Sequence, residues 1–272
     1  MKSAITVSLV KESRGGPFVF WDDLPWAITK AASIGFDAVE IFPPAPEAIP
    51  ADVVRPLLDK ANMKVSAVGT GAGWVVHRLT LTSHDAAIRQ RAKEYIRSII
   101  DAAGALGAPA IIGSMQGRWC DSVDSDQAIH YLESALDDLG EHAAQYRVPL
   151  IYEPLNRYET NIVNTLGLGS VLLQNLKTSN VKLLADLFHL NIEEVDIAAS
   201  IKRAAGDIGH VHLADSNRRA ATMGHIDFAP IAKALSEVDY GGYISAECLP
   251  YPDPDGAAKA TIEAFRKYFG GK

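Results

Sequence analysis

Residues 151–194 read IYEPLNRYETNIVNTLGLGSVLLQNLKTSNVKLLADLFHLNIEE and contain two short apolar runs on either side of an amphipathic segment. The first run ends at Glu153, and the second, VKLLA, ends at Asp186. Between them, Gly167–Leu176 carries apolar residues at the spacing of a helix. This order predicts a β-α-β unit whose parallel strands each bring a carboxylate to their C-terminal end.

The same alternation of short apolar runs and amphipathic segments extends through the whole chain. The predicted strands are Ala4–Leu9, Ala38–Phe42, Lys64–Val68, Ala110–Gly113, Val148–Glu153, Val181–Asp186, His210–Ala214 and Tyr243–Glu247. The predicted helices are Leu24–Ile34, Ala51–Ala61, His84–Leu106, Asp126–Tyr146, Gly167–Leu176, Glu194–Ala205, Ala229–Val238 and Ala257–Phe269. Eight such units favour an α/β fold that closes into a (β/α)8 TIM barrel, and no linker divides it. We therefore expect a single domain that spans residues 1–272.

The composition narrows the class of protein. The 272 residues are 48% hydrophobic and 22% charged, with a net charge of −7, so the chain lacks the basic character of a nucleic-acid-binding protein or of one that binds an anionic membrane. Its two cysteines form no C-x-x-C pair, and no stretch has the length of a membrane span or the pattern of a signal peptide. We expect a cytoplasmic protein with no nucleic-acid or membrane partner.

Four residues with metal-binding side chains follow the last four predicted strands. They are Glu153, Asp186, His212 and Glu247. Active sites of TIM barrels lie at the C-terminal ends of the strands, so these side chains should converge. Any one of them has an ordinary structural role available: a glutamate can form a rim ion pair, Asp186 can cap the following turn, and a histidine such as His210 can be a hydrogen-bonded core residue. Their joint occurrence on successive strands favours a site.

Three carboxylates and one imidazole suit a divalent cation, with Mn²⁺ first and Mg²⁺ or Co²⁺ as alternatives. Such an ion would have positions left for the adjacent carbonyl and hydroxyl oxygens of a sugar and would stabilise an enediolate. Glu153 and Glu247 would face the same carbon, one removing a proton and the other returning it from the opposite face. The loops Gly69–Trp74 and Ser114–Asp121 mix glycine, aromatic and polar residues, so Trp74 is a further candidate for contact with a sugar.

Four motifs resemble those of the D-tagatose 3-epimerase group, which belongs to the xylose-isomerase-like TIM barrels. They are EPLNRYETN (Glu153–Asn161), DLFHLNIEE (Asp186–Glu194), GHVHLADSNRR (Gly209–Arg219) and SAE (Ser245–Glu247). The resemblance implies a Mn²⁺-type metal held by the four residues above, with the two glutamates as the acid/base pair. It also implies that Glu159, His189 and Arg218 hold the substrate oxygens near C1 to C3, and that the chain forms homodimers or homotetramers.

Two loops depart from the pattern of that group. Residues 220–225 read AATMGH where the group carries Pro-Gly and a further glycine, which leaves the shape of this loop open. SMQGRW (residues 114–119) differs from the Gly-Pro-containing loop of ketohexose epimerases and places Arg118 where the distal end of a substrate would lie. An arginine can bind a carboxylate with two hydrogen bonds, which would make the substrate a keto-sugar acid; a solvent-facing side chain is the alternative.

These observations predict an isomerase that epimerises a free ketose or keto-sugar acid at C3 through a cis-enediolate. The alternative is an aldose–ketose isomerase, hydroxypyruvate-isomerase-like or other, which would use the same metal site. A DNA-repair endonuclease needs several metals and a basic rim, which the charge of −7 disfavours. A non-catalytic sugar-binding barrel is disfavoured because both glutamates and the whole ligand set are present.

Overall fold

In the computed structural model, which describes residues 1–270, one parallel sheet closes into a barrel. Its strands are β1 (Lys2–Ser8), β2 (Phe20–Trp21), β3 (Ala38–Phe42), β4 (Lys64–Gly69), β5 (Ala110–Ile112), β6 (Leu150–Tyr152), β7 (Val181–Asp186), β8 (Ile208–His212) and β9 (Tyr243–Ala246). The order is β2-β1-β3-β4-β5-β6-β7-β8-β9, and β9 pairs with β1 in register Lys2 to Tyr243 and Ile5 to Ala246. The predicted (β/α)8 TIM barrel is confirmed, with β2 as a short additional strand beside β1.

Helices surround the barrel and connect successive strands. They are α1 (Leu24–Ile34), α2 (Ala51–Ala61), α3 (Ala72–Val75), α4 (Ala86–Ala105), α5 (Ser125–Ala144), α6 (Leu166–Asn175), α7 (Leu187–Glu193), α8 (Ile197–Arg203), α9 (Phe228–Glu237) and α10 (Pro254–Tyr268). In α1, the Asp23 side chain accepts a hydrogen bond from the backbone of Trp26, and Gly35 ends the helix at a φ of 99°. Both features are standard helix signals, so the sequence predicted the bounds of α1 correctly.

Two parts of the helical prediction are corrected. The predicted helix Glu194–Ala205 is shorter in the structure, because Asp196 caps α8 through a hydrogen bond from Ala199 N at 2.9 Å. In addition, α7 follows β7 without a loop, and α3 forms within the glycine-rich segment after β4. Predicted strand ends also shift: β6 stops one residue before Glu153, and β8 ends at His212 instead of Ala214.

The alternation of side chains along the strands aims the functional residues into the barrel. Leu150 and Tyr152 of β6 pack in the large core between sheet and helices. Ile151 belongs to a separate small cluster inside the barrel, with Ala67, Ile111 and Leu184. Because successive strand residues point to opposite faces, Glu153 lies on the same inner side as Ile151. Asp186 follows Leu184 by two residues and lies on the inner side in the same way. The carboxylates of Glu153 and Asp186 therefore form a polar layer above this small apolar cluster.

Within residues 1–270, no helix combines the length and apolar character that crossing a bilayer requires. Cys120 is exposed, Cys248 is buried, and both are free thiols.

Candidate active site

The four predicted ligands meet at the C-terminal mouth of the barrel, and all are buried. One ligand atom from each lies within 4.8 Å of the others. Nδ1 of His212 is central, at 3.7 Å from Oε1 of Glu153 and 3.6 Å from Oδ2 of Asp186. It lies 3.4 Å from Oε2 of Glu247. Four strands that are distant in sequence thus place three carboxylates around one imidazole nitrogen.

The donor set fits a divalent cation. Oε1 of Glu153 and Nδ1 of His212 are buried and have no hydrogen-bond partner among residues 1–270. Buried polar atoms in proteins normally have one, so these two atoms are arranged for a ligand. Carboxylate oxygens with an imidazole nitrogen are the ligands of Mn²⁺ and Mg²⁺ sites. The residues present could therefore hold such an ion with one atom from each side chain.

Glu40 contacts this cluster through His212 and was not among the residues predicted from the sequence. Its carboxylate is fully buried and contacts two imidazoles, Nε2 of His210 at 2.6 Å and Nε2 of His212 at 2.8 Å. Burial alone would raise the pKa of Glu40, but His212 and His210 outweigh it and hold the pKa far below its usual range. The signal was an acid in the middle of the otherwise apolar strand AVEIF. His210 is the hydrogen-bonded core histidine that its motif predicted.

Asp186 uses its two oxygens for different purposes. Oδ1 accepts hydrogen bonds from the backbone of Phe188 at 2.7 Å and of His189 at 3.3 Å, which caps α7. Oδ2 faces His212 in the ligand cluster. The capping role considered from the sequence is therefore real, and it orients the second oxygen toward the cluster.

The carboxylates of the cluster differ in proton affinity. Burial raises the pKa of Glu153, and the neighbouring Glu247 adds to this against the effect of nearby imidazoles. For Asp186, burial also favours the neutral form, but His189 and Arg218 outweigh it and lower the pKa far below its usual range. Asp186 therefore stays ionised, whereas Glu153 binds a proton more readily than an exposed glutamate does.

The residues implied as substrate ligands lie above the cluster. His189 is buried, and Asn156 donates a hydrogen bond to its Nδ1 at 2.7 Å. Nε2 of His189 then carries the proton and points toward Glu153, 3.7 Å away. Asn156 also binds Glu159 at 3.0 Å, so this one amide orients both neighbours. Asn156 was not predicted, although it lies within the EPLNRYETN motif.

Arg218 extends over the same cluster. Its Nη2 contacts Glu247, its Nη1 lies 3.4 Å from Nε2 of His189, and its guanidinium lies 4.6 Å from the ring centre of Phe188. Its Nε is buried and has no partner. The backbone of Arg218 has a φ of 57°, in the left-handed region.

The loop that carries Arg218 departs from the pattern of the D-tagatose 3-epimerase group, and its backbone is hydrogen-bonded to one buried side chain, Asp215. Asp215 accepts backbone hydrogen bonds from Ser216 at 2.7 Å, Thr222 at 2.9 Å and Ile226 at 3.0 Å. A Cβ on Gly224 would lie 2.2 Å from Oδ1 of Asp215, so only glycine fits there. The motif residues around the altered segment therefore hold the loop in place.

The loop after β5 supports Glu153 at close range. A Cβ on Gly113 would lie 2.5 Å from Oε2 of Glu153, so the absence of a side chain makes room for the carboxylate. Gln116 is fully buried and donates a hydrogen bond to the backbone oxygen of Glu153 at 3.0 Å. Its Oε1 accepts one from Tyr152 at 2.6 Å. Neither Gly113 nor Gln116 was identified from the sequence, because their roles depend on a contact between β5 and β6.

A cavity of about 500 Å³ opens above the cluster, lined by Glu153, Glu159, His189, Arg218 and Glu247 among others. Trp74 and Arg118 do not line it. They border a second cavity of about 360 Å³, which shares Ser114, Leu155 and Glu159 with the first. Arg118 is exposed and donates a hydrogen bond to the backbone oxygen of Tyr158 at 3.2 Å.

Comparison with known proteins gives one family match. Residues 28–268 match the model of the xylose isomerase-like TIM barrel. An L-ribulose 3-epimerase from Methylomonas sp. (strain DH-1) is 32% identical over 244 residues, which cover 88% of this chain and 83% of the relative. A D-psicose 3-epimerase from Agrobacterium fabrum is 27% identical over 252 residues, which cover 90% of this chain and 85% of the relative.

A solved structure has the same fold. The D-allulose 3-epimerase from Methylomonas sp. in complex with D-allulose superposes with a TM-score of 0.82 at 26% identity. The match covers 98% of this chain and 98% of that one. Because the match covers nearly all of both chains, neither barrel has a large insertion or deletion relative to the other.

Proposed function

The chain belongs to the xylose isomerase-like TIM barrel family, and on that premise we propose that it epimerises a free ketose or keto-sugar acid at C3 through a cis-enediolate. The observation that carries the proposal is the convergence of Glu153, Asp186, His212 and Glu247 within 4.8 Å. Glu153 and Glu247 of this cluster line the cavity. The named relatives are 3-epimerases of ketoses, so the prediction that the chain is an enzyme of the isomerase class is confirmed.

Glu153 and Glu247 are the proposed acid/base pair. One carboxylate takes the proton from C3, and the other delivers a proton to the opposite face of the same carbon. Both carboxylates line the cavity, which supports this role. Proton removal and return at a single carbon need no redox cofactor.

The cation would be held by the two glutamates with Asp186 and His212, and we propose Mn²⁺, with Mg²⁺ or Co²⁺ as alternatives. When bound, it supplies polarisation of the substrate carbonyl and charge stabilisation for the enediolate. Two structural facts support the assignment: the unpartnered atoms Oε1 of Glu153 and Nδ1 of His212, and the Glu40 contact that directs Nδ1 inward.

Glu159, His189 and Arg218 are the proposed ligands of the substrate oxygens near C1 to C3. Nε2 of His189 and the guanidinium of Arg218 are hydrogen-bond donors that face the cavity, and Glu159 is an acceptor on its wall. Together they fix which carbon lies between the two glutamates. This position decides whether the enzyme epimerises C3 or moves a proton between C1 and C2. Assembly as a homodimer or homotetramer and a cytoplasmic location stay predictions from the sequence.

The test is proton exchange in D₂O. The Mn²⁺-loaded enzyme is incubated with free ketoses and keto-sugar acids, and each compound is followed by NMR. Deuterium at C3 together with the C3 epimer is the expected result. Deuterium confined to C1 or C2 would instead establish an aldose–ketose isomerase, and no exchange in metal-loaded enzyme would refute both.

A further inference from the structure

The cavity beside the active site is lined by none of the four residues of the carboxylate cluster. It measures about 360 Å³ and meets the catalytic cavity at Ser114, Leu155 and Glu159. The catalytic cavity alone measures about 500 Å³, within the range of roughly 300–1,000 Å³ typical of small-molecule sites. A neutral ketose therefore needs no space in the second cavity, which is open to a group that the substrate carries beyond that sugar.

The walls of the second cavity combine an aromatic surface with hydrogen-bonding groups. Trp74 is 37% exposed, and the Arg78 guanidinium stacks over its ring at 5.0 Å. Thr80 and Ser83 contribute hydroxyl groups to the wall, and Arg118 contributes a cation. An apolar ring beside a few polar groups is the composition that binds a sugar ring, which has an apolar face and hydroxyls at its edge.

The size of the second cavity favours a whole sugar ring over a smaller group as its ligand. A lone carboxylate would engage Arg118 and leave Trp74 and the hydroxyls of Thr80 and Ser83 without contacts. A whole sugar ring has an apolar face for Trp74 and hydroxyl groups for the polar residues of the wall. The junction at Ser114, Leu155 and Glu159 joins this cavity to the wall of the catalytic cavity, so the two rings of one molecule can occupy both.

We propose that the second cavity binds a further sugar residue, joined by a glycosidic bond to the ketose that reacts at the carboxylate cluster. The proposal rests on the proposed epimerase function for the reacting end. It identifies the substrate class as ketose-containing disaccharides or glycosides linked through O4, O5 or O6. A link through O3 is excluded, because C3 epimerisation through a cis-enediolate needs a free O3.

The test compares fructose with 4-O- and 6-O-glucosyl-fructose, with 3-O-glucosyl-fructose as the blocked control. We expect kcat/KM for C3 deuterium exchange to be at least ~10-fold higher for the first two disaccharides than for fructose, as about 1.4 kcal/mol of added binding energy would produce. Trp74→Ala should lower this ratio toward one. Trp26→Ala is the matched control, since Trp26 is an exposed tryptophan of α1 that lines neither cavity and should leave the ratio unchanged.

Saturation-transfer NMR tests the cavity without relying on a turnover rate. Strong saturation of the glucosyl protons of 6-O-glucosyl-fructose is expected, and Trp74→Ala should weaken it. A disaccharide kcat/KM no greater than that of fructose, with no saturation of the glucosyl ring, would overturn the proposal. If no ketose exchanges its C3 proton for deuterium, the proposed epimerase function is wrong. The saturation signal then shows independently whether the second cavity binds the glucosyl ring.

Discussion

The Glu40 carboxylate accepts a hydrogen bond from Nε2 of His212 at 2.8 Å, which leaves Nδ1 of this imidazole directed at three carboxylates. The other oxygen of Glu40 accepts a hydrogen bond from Nε2 of His210 at 2.6 Å. Because Nε2 donates, a neutral His212 must present the lone pair of Nδ1 to the cluster. A residue 172 positions away in sequence thus selects the tautomer that a metal ligand needs.

Glu40→Gln should weaken Mn²⁺ binding by about 10- to 100-fold, the usual effect of changing a group that orients a metal ligand. The amide has one acceptor oxygen for two imidazole donors, so the orientation of His212 is no longer defined. Titration calorimetry of the metal-free enzyme with Mn²⁺ measures the change. Glu94→Gln, an exposed residue of α4, is the control, and an affinity for Glu40→Gln within twofold of wild type would contradict the role of Glu40.

Glu247→Gln should reduce C3 exchange at saturating Mn²⁺ by at least ~100-fold, as expected for loss of one acid/base group. The barrel should persist, because Glu247 lies on the rim beyond the end of β9. Exchange rates in D₂O and the circular dichroism spectrum separate these effects. Glu237→Gln, on the outside of α9, should retain full activity. Turnover of Glu247→Gln at a few per cent of wild type or more would refute the assignment.

Addition of Mn²⁺ to the chelator-treated protein should raise its Tm, because an ion that binds only the folded state stabilises it. Asp186→Asn should largely abolish this rise while the fold persists, since the amide oxygen can still cap α7 but the anionic Oδ2 is lost. Differential scanning calorimetry with and without Mn²⁺ gives the comparison. Asp196→Asn, which alters another aspartate that caps a helix, should keep the full rise.

Gly113→Ala should displace Glu153, because the new Cβ would lie 2.5 Å from Oε2 of that carboxylate. We expect weaker Mn²⁺ binding and a loss of C3 exchange of about tenfold or more, in line with the cost of misplacing a reacting group. Gly241→Ala is the matched control, since a Cβ there has no neighbour within 4 Å. Equal activity of the two variants would show that Glu153 tolerates the displacement.

Arg118→Ala should raise KM for keto-sugar acids by ~10-fold or more and leave neutral ketoses unchanged, since a charge-assisted hydrogen bond contributes about 1.5–3 kcal/mol. Steady-state kinetics on matched acid and neutral substrates checks this. Arg219→Ala is the control, because that guanidinium stacks on Tyr251 at 3.8 Å and lines neither cavity. An equal rise in KM for acid and neutral substrates would show that Arg118 does not bind a substrate carboxylate.

Most of the barrel was readable from local patterns, because strand alternation and helix caps are properties of neighbouring residues. Asp23 and Gly35 marked the ends of α1, and buried Ile96, Ile99 and Leu132 lie at the helical spacing that predicted α4 and α5. Helix α7 was missed, since the predicted helix began at Glu194, whereas Asp186 starts α7 directly after β7 and Asp196 starts α8.

The sequence by itself determined the chemical inventory: a β/α repeat with an acid or imidazole at each of the last four strand ends. Tertiary structure alone decided how these groups act. Closure of β9 on β1 sets the strand ends around one axis, and a contact between β3 and β8 places Glu40 against His212. Likewise, only the fold put Trp74 and Arg118 into a separate cavity beside the cluster. Such contacts depend on distances between residues remote in the chain, which no local pattern records.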